Sequence, residues 1–140
     1  MMLRTMICLT VAILAMVSHT GCVHANPTSA KTMVWRASND YGDKPGNGLE
    51  LSLQSNAVSG TFFLLEPSKP HDFKSGPAFP LKILERRGFE LVCEVRYNEN
   101  FLDKFVLKLP QNFPRREFTA ILQDVKPGTT PMEFNFKRVK

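Results

Sequence analysis

With 140 residues, 18 Lys and Arg, 13 Asp and Glu and only 3 Cys, the chain has room for one domain and too few cysteines for a disulfide-stapled scaffold. The formal charge of +5 is spread over separate pairs, Arg86-Arg87, Arg115-Arg116 and Lys137-Arg138, each near an acid (Glu85, Glu117, Glu133). That pattern excludes a continuous phosphate-binding track, so no nucleic-acid partner is expected, and leaves a solvated surface weakly attractive to anionic lipids or cell-wall polymers.

Residues 1–25 are laid out as an export signal: Arg4, an apolar run of twelve from Met6 to Val17, then smaller and more polar residues to Ala25. A membrane-spanning helix needs roughly 20 apolar residues, so the run fits a signal core better. No later stretch approaches it, and no span is expected once the signal is removed. Two cuts compete. Val23-His24-Ala25 has small residues at the first and third positions before a cut. Thr20-Gly21-Cys22 resembles the end of a bacterial lipoprotein signal, which implies lipidation of Cys22 and a polar tether from Val23 to Lys31. The first is favoured: an exported, periplasmic or secreted chain from Asn26, with 26–31 a flexible lead-in to a single domain, 26–140. A lipid anchor on Cys22 is the alternative.

Beyond the lead-in the pattern is strand, turn, strand. Thr32 to Ala37 opens it. Asn39 to Glu50 (NDYGDKPGNGLE) has the length of a calcium loop, but Tyr41 stands third and Lys44 sixth, where a ligand and a turn glycine belong. It reads as a Gly/Pro hairpin loop. Leu49 to Gln54 alternates apolar and polar without a fault, the mark of a half-buried strand. Val58 to Glu66 follows a short Ser-Asn-Ala connection, and Gly60 within it marks a bulge or a close approach. Adjacent strand residues face opposite sides, so one of Phe62 and Phe63 must leave the core or enter a second packed layer.

A Pro-rich loop, Pro67 to Pro80, precedes a short strand at Leu81 to Leu84. Phe89 to Tyr97 then alternates, with Phe89, Leu91, Cys93, Val95 and Tyr97 on one face. Phe101 to Leu109 turns Phe105, Leu107 and Leu109 inward, Glu117 to Gln123 does so with Phe118, Ala120 and Leu122, and Met132 to Val139 with Met132, Phe134 and Phe136. Arg87-Gly88, Asn98 to Asn100, Pro110 to Pro114 and Pro127-Gly128 punctuate the series. No helical apolar period is sustained. The expected fold is all-β: an antiparallel meander of about eight strands, closed as a barrel or flattened as a sandwich. An eight-stranded barrel has a bore that side chains just fill, or that holds one small ligand.

Trp35-Arg36, then LELSLQSNAVSGTFFLLEP, GFELVCEV and PMEFNFKRVK resemble, over essentially the whole exported chain, small secreted bacterial calycin-like (lipocalin-like) domains. These begin with a Trp strand, continue with an L-x-L hairpin carrying a V-S-G turn, and close on an apolar strand ending in Lys-Arg or Arg. The resemblance implies a calycin-like barrel, a pairing of Trp35 with the late Arg138, and binding rather than catalysis.

His71 is the one histidine beyond residue 25 and Cys93 the one cysteine, too little for a zinc site. Asp72 beside His71 reads as a turn residue, and no G-x-S-x-G elbow is present, so no nucleophilic triad is expected. Cys93 shares a face with Leu91 and Val95, where a thiol is inert. No enzyme, metal or cofactor is expected. Tyr41, His71, Phe73 and Phe79 sit in or beside the two long loops. If both loops overhang one barrel mouth, these four line a small apolar site with a polar edge. The expected function is non-enzymatic binding of a small apolar or amphipathic ligand or a cell-envelope component. The alternative is a protein-interaction or inhibitor module working through its outer face and loops.

Overall fold

Eight stretches of alternating side chains become eight strands in the computed structural model, which describes residues 30–41 and 44–140. The expected signal segment, with Cys22 and both cut sites, lies outside the described residues, as does the side chain of Tyr41. The strands are β1 (Met33–Tyr41), β2 (Lys44–Gln54), β3 (Ala57–Leu65), β4 (Ala78–Arg87), β5 (Glu90–Arg96), β6 (Leu102–Lys108), β7 (Glu117–Asp124) and β8 (Met132–Arg138). Each pairs antiparallel with the next, and β8 returns to β1, giving a closed barrel rather than a sandwich. No helix occurs among the described residues, and none there is long and apolar enough to cross a membrane.

Closure joins Trp35 to Arg138 and Arg36 to Lys137. It continues beyond β8, where the Val34 and Val139 backbones bond to Lys140 and Val34 at 3.0 and 2.8 Å. Because side chains alternate across the wall, Trp35, Leu49, Leu51, Leu91, Leu107 and Phe134 all turn into the bore, each without measurable exposure. Among the described residues no polar or charged residue is buried. At roughly 25 cal/mol per Å² of apolar area removed from water, such a filling is the main favourable term in folding. The lower end, where β1 begins and β8 ends, is closed by the connection 109–116. Phe113 there lies with its ring centroid 5.5 Å from Trp35 and 5.2 Å from Phe118, and the Trp35 Nε1–H donates to the Arg115 carbonyl at 2.6 Å.

Three details differ from the sequence expectation. First, Asn39 to Glu50 is mostly ladder, since β1 runs to Tyr41 and β2 starts at Lys44. Gly48 belongs in that strand because a Cβ there would stand 2.8 Å from Phe73 Cε1. Second, the hairpin between β2 and β3 turns at Ser55-Asn56, both with positive φ (49° and 66°), a two-residue turn whose twist suits the strands. The V-S-G residues therefore lie within β3. Third, β4 is longer than Leu81 to Leu84, with a register shift between Ile83 and Glu85 that leaves Leu84 exposed. Phe89 sits in the following turn, also exposed, rather than in the bore.

Gly60 proves to be a close approach without a bulge. It faces Leu51 and Leu81 in unbroken register, and a Cβ on it would meet the Glu50 carbonyl oxygen at 2.8 Å and Leu81 Cδ2 at 2.9 Å. Phe62 enters the bore, while Phe63 faces out yet is buried too. The Pro-rich connection 66–77 lies down the outer wall and covers it, Phe73 meeting Phe63 edge-on at 5.0 Å. That connection forms the second packed layer.

Candidate functional site

The same loop decides where the four expected site residues go. Phe73 lies on the outer wall, with the Arg36 guanidinium 5.2 Å from its ring centroid. His71 Nδ1 is 2.9 Å from Ser38 Oγ, also on the outer side of β1. Phe79 is the member near the bore: it pairs across from Phe62 and packs edge-on against Tyr97 at 5.0 Å. Tyr41 ends β1, its backbone across from Lys44. The loop 66–77 thus does not overhang a mouth, and His71 and Phe73 are on the opposite side of the wall from Phe79. An apolar loop docks where it can bury most area, and here that is the exposed face of Phe63.

His71 and Phe73 do border a cleft of about 300 Å³ with Arg36, Ser38, Asn135 and Lys137. Its strongest charge is already engaged, Arg36 Nε lying 2.7 Å from Glu50 Oε2. Other outer-wall grooves are open shelves. The one beside Lys82, Glu94 and Arg96, about 670 Å³, is floored by charges that partner each other, Glu94 lying 4.0 Å from Arg96 and 3.8 Å from Lys104.

The upper end of the bore is different. Packing stops above Val95, Phe105 and Leu122 and leaves a cavity of about 270 Å³ lined by Phe62, Phe105, Leu122 and Met132 below and Asn47, Tyr97, Asp103 and Asp124 above. Three aromatic side chains frame it, Phe62 standing 6.0 Å from Tyr97 and 6.5 Å from Phe105 between centroids. Burial, and then the neighbouring Asp103 carboxylate that accepts its hydrogen bond, push the Tyr97 phenol upward. The hydroxyl therefore stays a neutral donor. Asp124 ends β7, and one carboxylate oxygen caps the next turn, accepting the Lys126 N–H at 2.8 Å. Lys104 also borders the cavity, but its ammonium lies against Glu94 on the outer face.

Sequence reasoning placed Phe105, Leu122, Met132 and Tyr97 on inward faces but missed both acids. The signal was present. Asp103 is two residues before Phe105 and Asp124 two after Leu122, so the same alternation turns both carboxylates inward. Among the described residues no group of three or more His, Cys, Asp or Glu is placed to hold a metal ion. No family model, curated protein or solved structure matches the chain.

Proposed function

We propose that this is an exported, non-enzymatic binding protein of calycin-like architecture that takes a small amphipathic ligand into the upper mouth of its barrel. The observation that supports it is the contrast along one bore. Below, the side chains of eight strands and one loop fill the space; above, a cavity of about 270 Å³ has an apolar floor and a polar rim. Ligand pockets combine apolar walls with a few polar groups in this way. The Tyr97 O–H is given to Asp103, so the rim offers a ligand the remaining acceptor positions of its carboxylates. The volume suits a compact molecule or the end group of an envelope component.

Methyl resonances of Leu122 and Met132, followed during titration with 1-hexanol, test this directly. Both are expected to shift in the native protein, and the Met132 methyl to stay put in Leu122→Phe, which fills the floor at an overpacking cost of about 1–3 kcal/mol. Resonances that stay put in the native protein would sink the reading. Native intact mass of the protein recovered from its host's membrane and soluble fractions addresses export and the natural occupant together. A chain starting at Asn26 with a non-covalent adduct is expected, and an acylated Cys22 would replace the free chain by the anchored one.

A second reading, an interaction or inhibitor module, draws on the rim of the same end. Phe101 is 66% exposed and Val125 57%, with Leu102 beside them. An aromatic patch at Phe62 or Phe63 lends it nothing, since both are buried.

A further inference from the structure

The mouth has a sign as well as a size. Resting on the reading of the mouth as a ligand site, we infer that its ligand is a small organic cation, an ammonium or guanidinium head on a compact apolar body.

Asp103 and Asp124 reach the cavity from the adjacent strands β6 and β7. Among the described residues the acids in ion pairs are Glu50, Glu66, Glu85 and Glu94, and neither of these aspartates is one of them. Asp103 accepts the Tyr97 hydroxyl and Asp124 one backbone N–H, and a carboxylate has about four acceptor sites. Both therefore keep capacity for a donor. The lysine nearest the cavity, Lys104, is drawn to Glu94 at 3.8 Å on the far side of the wall.

The rings that line the cavity favour the same class. Phe62, Tyr97 and Phe105 all border the one volume, Phe62 touching Tyr97 edge-on at 6.0 Å and Phe105 at 6.5 Å between centroids. Aromatic faces around a space of molecular size attract cations through the ring quadrupole, more strongly once water is excluded. An uncharged guest would strip water from the carboxylates and return at most a neutral hydrogen bond, and an anion would be repelled. A cation with an apolar body satisfies rim and floor together.

The experiment titrates the full-length protein with choline and, separately, with its uncharged carbon isostere 3,3-dimethylbutan-1-ol, reading the Leu122 and Met132 methyls by NMR. Choline is expected to bind at least tenfold more tightly than the isostere. Asp103→Asn and Asp124→Asn should each weaken choline about tenfold, as befits loss of one carboxylate charge near the quaternary nitrogen, and leave the isostere within twofold. Equal binding of the two probes overturns the cation inference while the mouth remains a ligand site. Binding of 1-hexanol with no response to either of these probes also overturns it, again without touching the site. The native comparison of the two probes decides the matter even where an Asn variant fails to fold.

Discussion

At Cys93 the thiol has no water to solvate its anion. The residue is fully buried between Leu91 and Val95, its S–H directed at the Leu91 carbonyl at 3.5 Å, and burial pushes its pKa from the ordinary value near 9 up to about 12. In the unfolded chain the proton leaves near 9, whereas in the folded chain it stays until about 12. The unfolded state then binds fewer protons, so stability is constant below that window and falls as pH rises through it. Between pH 8 and pH 10 the native protein should lose about 1.4 kcal/mol more stability than Cys93→Ala, read from paired urea titrations. Parallel pH dependences would show that the thiol is not held in the core. Ellman's reagent should likewise leave the native thiol unmodified.

Among the elements, the loop 66–77 has the largest consequence for its size. It turns an outward phenylalanine, Phe63, into a buried one, and it does so chiefly through Phe73, which touches Phe63 and the Arg36 guanidinium. Phe73→Ala should cost about 1–2 kcal/mol, less than a fully buried phenylalanine because Phe73 is half-buried. Amide exchange should accelerate within 66–77 well beyond the global change, while β5 and β6 follow only the global change. Unaltered exchange in the loop would mean that something other than Phe73 pins it. The pair Phe62-Phe63 required in the sequence that one ring leave the core or enter a second layer, because neighbours on a strand cannot share a face. Which segment supplied that layer was not legible, since it depends on how a loop of free direction finds the one exposed apolar face.

At the scale of the whole molecule, the barrel has a sealed end and an open one. Trp35 organises the sealed end: its indole lies against Phe113 and Phe118 and bonds to Arg115, far along the chain. Arg138 stands across from it in the register of the closure, and the Arg138 guanidinium reaches Met33 Sδ at 3.7 Å. Trp35→Phe removes one buried hydrogen bond and part of the ring volume, and should lower unfolding free energy by about 2–3 kcal/mol in urea. A change under about 0.5 kcal/mol would assign the seal to Phe113 and Phe118 alone. Ligand binding at the far mouth should be preserved, because no residue of the seal borders it.

Side-chain alternation and short connections together were sufficient for a meander of about eight strands and for most inward residues of β5 to β8, since the pleat is a local property repeated every two residues. The alternation also contained the inward positions of Asp103 and Asp124. Only the tertiary structure decided that the sheet closes on itself, that 66–77 lies outside rather than over the mouth, and that Tyr97, Asp103 and Asp124 share a cavity with Phe62. Those outcomes depend on which strands meet across a closed bore and on where a loop buries most area. Both are long-range matters, decided by packing between residues far apart in the chain and invisible to the period of any one strand.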